Sequence, residues 1–207
     1  MPEPVLAVIL AGGLARRMGG GDKPLRSLAG QPLLEHVLER LRPQVAGIIL
    51  NANGDPARFA AHGLPVVPDS LPDFPGPLAG VLAGLDWAAA HRPEVTTLLS
   101  VPGDTPFLPP DLVARLRAAR AAAGTPMACA ASGGWPHPPI ALWPVALRGA
   151  LRAALLAGER TIMRWTARFG CASAEWSTDP IDPFFNVNAP EDLAAAEALL
   201  RGGAAGS

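Results

Sequence analysis

The sequence predicts an α/β protein with a doubly wound, mostly parallel sheet and helices on both faces, and three observations carry that prediction. Short apolar runs rich in β-branched residues alternate with segments that are apolar at helical spacing. The alternation repeats four times before Thr105, which points to a parallel sheet with crossover helices rather than to hairpins. Finally, 49% apolar against 17% charged residues over 207 positions excludes a disordered chain. A chain of this size can bury about 70% of its unfolded surface around one core. No fixed-period repeat or linker interrupts it, so a single domain is expected.

Taken in order, Val5 to Leu10 reads as a strand covered on both faces. Pro32 sits where a first helical position would be, Leu33, Leu34, Val37, Leu38 and Leu41 follow at helix spacing, and Pro43 stops the pattern. Val45 to Leu50 is the next strand, and Asp55-Pro56 opens a short helix through His62. Leu64 to Val67 gives a third strand, Pro77 to Ala90 a helix, and Thr96 to Val101 a fourth strand. The second half carries a helix over Leu112 to Ala122, with Asp111 as its expected cap, and strands near Met127 to Ala130 and Ile140 to Trp143. Helices are expected at Leu147 to Leu156 and Ile162 to Phe169, a strand near Phe185 to Asn188, and a last helix from Pro190 to about Leu200. Gly202 to Ser207 reads as a frayed tail, leaving 1–201 as the folded domain. This is a Rossmann-like arrangement.

In such sheets ligands bind beyond the carboxyl ends of the strands. The polar residues there are therefore informative: Gly12-Gly13 after the first strand, Asn51 and Asn53 after the second, Asp69 after the third and Asp104 after the fourth. The stretch from Leu10 to Lys23, LAGGLARRMGGGDK, combines five glycines with Arg16, Arg17 and Lys23. Glycines let backbone N–H groups close on an anion, and the cations neutralise phosphate oxygens. The spacing is neither that of a Walker A loop nor that of the GxGxxG dinucleotide fingerprint. Asp104, at the tip of a buried strand, suits Mg²⁺, which takes one or two carboxylates plus phosphate oxygens and water. Asp69 taken alone could equally make an Asx-turn, and Asn51 and Asn53 could be turn formers or readers of a base edge. His137, flanked by Pro136 and Pro138, reads as a structural contact.

A net charge of −1 supplies no field for nucleic acid or an anionic membrane, so neither is expected as a partner. Cys129 and Cys171 form no CxxC and suggest a reducing compartment. The first apolar run is followed, not preceded, by Arg16-Arg17, unlike a secretory signal, and no segment reaches a membrane span. A cytoplasmic protein is expected.

Together these segments resemble the molybdenum cofactor guanylyltransferases, within the wider nucleotidyltransferase superfamily. The match runs through LAGGLARRMGGGDKPL at 10–25, GQPLLEHV at 30–37, NAN at 51–53, PDSLPDFPGPLAG at 68–80 and PGDTPFLPPDL at 102–112. It continues through HPPIALW at 137–143, GERTIM at 158–163 and FNVNAPEDLA at 185–194. The resemblance implies transfer of GMP from GTP to molybdenum-molybdopterin, with Mg²⁺ as cofactor and other molybdenum cofactor proteins as the expected protein contacts. It implies nucleotide contacts by Leu10, Ala11, Gly12, Gly13, Lys23, Asn51, Asp69 and Asp104, with the metal on Asp104. Lys23, Asp104 and Arg17 would be catalytic, and Asn186 and Asn188 would lie on the acceptor side. The alternatives are a cytidylyl or sugar-phosphate enzyme of the same superfamily and a non-catalytic nucleotide-binding module.

Overall fold

A computed structural model describes residues 3–12, 22–71 and 76–204. The strands are β1 (Val5–Leu10), β2 (Ser27–Leu28), β3 (Gln31–Pro32), β4 (Gly47–Asn51), β5 (Val66–Val67), β6 (Thr97–Pro102), β7 (Met127–Ser132), β8 (Trp135–Pro144) and β9 (Cys171–Trp176). The helices are α1 (Leu33–Leu41), α2 (Pro77–His91), α3 (Leu112–Ala123), α4 (Arg148–Leu156), α5 (Ile162–Thr166) and α6 (Pro190–Ala204). Seven strands form one sheet in the order β5-β4-β1-β6-β8-β7-β9. β8 alone runs against its neighbours β6 and β7, while β9 pairs parallel with β7.

Alternation along β1 distributes the core. Val5, Ala7 and Ile9 pack with α1 and α3, while Leu6 and Val8 pack with α2, α4 and α5. Because the chain winds outward from β1 to β4 and β5, then returns through α2 to β6, the direction of winding reverses between β1 and β6. A crevice opens at such a reversal. A third cluster, with Leu28, Leu33, Phe107, Val187 and Ala196 at its centre, seats α6 against the β2–β3 ribbon.

Four local differences from expectation have physical causes. Pro32 is the residue before α1 rather than its first turn, because its extended backbone pairs with Ser27. β8 tolerates Pro136, Pro138 and Pro139 because only Ala141 to Pro144 pair with β6, so the missing N–H groups interrupt no ladder on that side. Residues 185–188 form no strand: the Val187 N–H donates to the Asp104 carbonyl (3.0 Å), which leaves the segment no regular partner. The last strand is instead β9, whose Cys-Ala-Ser-Ala-Glu-Trp sequence has weak β propensity and depends on pairing with β7. Helix α5 is shorter than expected, and α6 continues to Ala204. Asp111 precedes α3 as expected, but its carboxylate accepts from Trp176 Nε1 (2.9 Å), and Gln44 Oε1 takes the Val113 N–H (3.1 Å).

Candidate active site

The carboxyl ends of β1, β4, β5 and β6 are stitched into a continuous rim. Ala11 N–H donates to the Asn51 carbonyl (2.9 Å), Ala52 N–H to Val67 (3.1 Å) and Gly103 N–H to Leu10 (3.1 Å). Leu10 and Gly12 line a cavity of about 430 Å³ here, with Asn51, Asn53, Asp69, Gly76 and Pro77. Buried Ala11 gives its N–H to the rim itself, so the exposed Gly12 is the residue of the three whose backbone N–H is best placed to face a ligand. Gly13 and Arg17 lie outside the described residues.

The asparagines fix Asp69 rather than simply making turns. Asn51 Nδ2 donates to Asp69 Oδ1 (2.9 Å) and to the Val67 carbonyl (3.2 Å). Asn53 Nδ2 donates to Asp69 Oδ2 (2.7 Å), and its Oδ1 accepts from the Asp69 N–H (2.9 Å). A carboxylate held this way has its direction set before any ligand arrives. Gly80 explains part of the GPLAG run: a Cβ there would fall 2.2 Å from Asn51 Oδ1 and 2.7 Å from Leu10 Cδ2. At Gly76, φ of +119° starts α2 in a conformation that L side chains rarely adopt. The N-terminus of α2 therefore borders the cavity.

Beside this cavity lies a charged cluster drawn from distant parts of the chain. A short 3-10 turn at Lys23–Leu25 brings the Lys23 ammonium onto Asp104 Oδ2 and Asn188 Oδ1. The turn sits tightly on the end of β6, since a Cβ on Gly103 would lie 2.9 Å from Pro24 Cγ. The second carboxylate oxygen of Asp104, Oδ1, is buried and has no hydrogen-bond partner among the described residues. An orphaned anionic oxygen is costly, and a hard cation would satisfy it. Among the described residues no group of three or more His, Cys, Asp or Glu could hold a metal alone, so phosphate oxygens would complete such a site. Asn186 Oδ1 accepts from the Thr105 hydroxyl (2.6 Å), and the Asn188 and Ala189 N–H groups donate to Asp192 Oδ2 (2.7 and 2.9 Å).

The structure thus brings Lys23, Asp104 and Asn188 together, and separately Asn51, Asn53 and Asp69. Thr105 was missed by sequence reasoning, although its place beside Asp104 could have signalled it. His137 is a structural contact as expected, but its partners Ser132 and Asp182 carry no local pattern. The GERTIM segment is structural: buried Glu159 accepts from the N–H groups of Thr161 and Arg160 (both 2.9 Å) and pairs with Arg168 (3.0 Å). Those N–H groups, with Arg164 and Arg168, hold its carboxyl below the usual range.

Fold and rim together define a nucleotide-handling protein of the doubly wound α/β class. The chain belongs to the MobA-like NTP transferase domain family, whose sequence profile matches residues 7–172. A molybdenum cofactor guanylyltransferase of Bradyrhizobium sp. (strain ORS 278) is 61% identical over 196 residues, 94% of this chain and 92% of that one. Among solved structures, the molybdopterin-guanine dinucleotide biosynthesis protein A of Archaeoglobus fulgidus superposes with a TM-score of 0.72 at 25% identity. That match covers 96% of this chain and 99% of the other. A Mycobacterium tuberculosis protein solved with manganese shares the fold, with a TM-score of 0.65 at 16% identity over 94% and 98% of the two chains. No described helix is long and apolar enough to cross a membrane.

Proposed function

We infer that this protein is a molybdenum cofactor guanylyltransferase, which moves GMP from GTP onto the terminal phosphate of molybdenum-carrying molybdopterin. An acceptor phosphate oxygen attacks the α-phosphorus of GTP, the bond from that phosphorus to the bridging oxygen breaks, and diphosphate leaves with the electron pair. A phosphate monoester is already anionic at neutral pH, so neither a protein nucleophile nor a general base is required. What the protein supplies is alignment and charge neutralisation.

The observation that carries this reading is the Lys23–Asp104 pair beside the rim cavity, with one carboxylate oxygen of Asp104 unpartnered among the described residues. Leu10, Ala11 and Gly12, with Asn51 and Asp69, hold the nucleotide, and Gly13 lines the phosphate loop. Lys23 and Arg17 neutralise the departing diphosphate. Asp104 would hold a divalent cation, for which we favour Mg²⁺, and the ion would supply positive charge to offset the negative charge of the reacting phosphates. Asn186 and Asn188 face the acceptor. The two thiols are free, which suits a reducing cytoplasm.

The test uses purified protein, labelled GTP, Mg²⁺ and molybdenum-loaded molybdopterin. The expected result is a guanine dinucleotide product and one diphosphate per turnover, with CTP giving no product. Efficient transfer from CTP, or transfer to a sugar phosphate instead, would overturn the assignment.

A further inference from the structure

The acceptor side contains a hydrogen-bonded chain that the reaction described above does not use. Ser132, at the end of β7, is 3% exposed. Its Oγ lies 2.9 Å from Asp182 Oδ1 and 2.7 Å from His137 Nε2. Asp182 Oδ1 also accepts from the Phe184 N–H (2.9 Å). An ionised carboxylate can only accept, so the single hydroxyl proton of Ser132 goes to Asp182. The oxygen of Ser132 is then left as an acceptor, and His137 must carry its proton on Nε2. The order is fixed: His137 donates to Ser132, and Ser132 donates to Asp182. This is not a nucleophilic triad, in which the histidine would stand between serine and carboxylate.

What the chain fastens is the segment 182–188. The His137 ring packs on Phe184 with centroids 4.8 Å apart, and Phe184 meets Trp176 edge-on at 5.2 Å. Four residues beyond Asp182, the same segment reaches the rim: Thr105 donates to Asn186, Val187 N–H to the Asp104 carbonyl, and Lys23 to Asn188. One end is tied to the β7–β8 hairpin and the other to the Lys23–Asp104 pair.

We propose that His137, acting through Ser132 and Asp182, is a positioning residue for the phosphate acceptor, setting the segment that presents Asn186 and Asn188 beside Lys23. The proposal rests on the guanylyltransferase reading and deepens its acceptor side. The working group is the Nε2–H donor, which the ring retains whether neutral or cationic. The charged groups around it are Asp182 and Glu175, with the Arg115 guanidinium over the Trp176 ring at 4.4 Å.

The test compares His137→Gln, whose amide can place a donor near the position of Nε2, with His137→Ala and Ser132→Ala. For the alanine variants the acceptor KM should rise roughly tenfold, the scale of one lost buried hydrogen bond. Their GTP affinity and kcat should stay within about twofold, and His137→Gln should recover most of the loss. Amide hydrogen exchange over 182–188, measured without substrates, should quicken in His137→Ala and stay near wild type in His137→Gln. A glutamine variant as impaired as the alanine variant overturns the donor role, and so does a parallel loss of GTP affinity, which would mark a residue that merely supports the fold. An unchanged acceptor KM or unchanged exchange in His137→Ala also overturns the proposal. Wild-type protein that makes no product from molybdopterin defeats the functional reading instead, and the exchange result still decides whether His137 fastens the segment.

Discussion

Along the half of the rim proposed to hold the nucleotide, Asn51, Asn53, Asp69 and Asp104 each sit at, or within two residues of, the end of a parallel strand. Their hydrogen bonds are correspondingly short in sequence: Asn51 and Asn53 reach Asp69 across 18 and 16 residues. Along the half proposed to face the acceptor, the groups come from a 3-10 turn, the residue after Asp104 and an irregular segment. Lys23 meets Asn188 across 165 residues, and Thr105 meets Asn186 across 81. On the proposed reading, the contrast separates how the two substrates would be accommodated. Repeated βα units deliver polar residues to one edge wherever a strand ends, so the nucleotide half follows from topology. Nothing in the topology delivers the proposed acceptor site, whose residues are brought together by long-range contacts to a loop.

The strongest way to break this division is at Asp104, where the halves touch. Asp104→Asn should lower kcat by roughly 10²- to 10³-fold, the scale of losing one group that stabilises charge in the transition state. The melting temperature should move little, because Lys23 keeps Asn188 as a partner. Transfer assays and thermal melts check this together, and near-normal turnover with Mg²⁺ would remove Asp104 from the chemistry.

Next come substitutions confined to one half. Asn51→Ala strips Asp69 of a donor, an effect of about 1–3 kcal/mol, so GTP binding should weaken by roughly 5- to 150-fold. Its acceptor KM should hold. Asn188→Ala should do the reverse. Isothermal titration with GTP, set beside acceptor kinetics, reads both; if each variant moved both constants alike, the two halves would be one site.

A smaller effect separates site from core within a single helix. A Cβ at position 84 would lie 2.9 Å from Leu98 Cδ2 and 3.0 Å from Val8, whereas at position 80 it would strike Asn51. Gly80→Ala and Gly84→Ala should each cost about 1–3 kcal/mol of stability by overpacking. Only Gly80→Ala should also weaken GTP binding, and equal GTP affinity in the two would contradict the role given to the Asn51–Asp69 lock.

The same contrast governs what the sequence discloses. The strands β1, β4, β5 and β6 are short apolar runs with a turn residue at each end, and Asn51, Asp69 and Asp104 could be picked out because position relative to a strand is local information. What Asn51 does there was not legible: whether it forms a turn or fixes a carboxylate depends on Asp69, which another strand supplies. In the second half, β9 went unread because its alternation, Ala172, Ala174 and Trp176 against Ser173 and Glu175, is carried mostly by alanine rather than β-branched residues, and its ladder is imposed by β7. The expectation of a strand at 185–188 failed because a short apolar and polar alternation fits a strand and a fastened loop equally well. Ser132 and Asp182, 50 residues apart, carry no pattern at all.

The smallest expected effect concerns pH and falls on the acceptor half. Burial lowers the His137 pKa below its ordinary value, against the opposing pull of Asp182 and Glu175. The folded ring therefore takes up a proton at lower pH than the ring in the unfolded chain. As pH falls below the ordinary imidazole value of about 6.5, the unfolded state gains a proton first, and stability drops until the folded pKa is passed. The contribution is thus fully present above that window and lost on acidification through it. His137→Gln removes the titrating group, so its stability should fall less steeply than wild type between neutral pH and mildly acidic pH. Denaturant titrations across that range would show the difference as a shallower slope. A slope identical to wild type would mean that the ring is solvated like a free imidazole, a state at odds with its packing on Phe184 and its bond to Ser132.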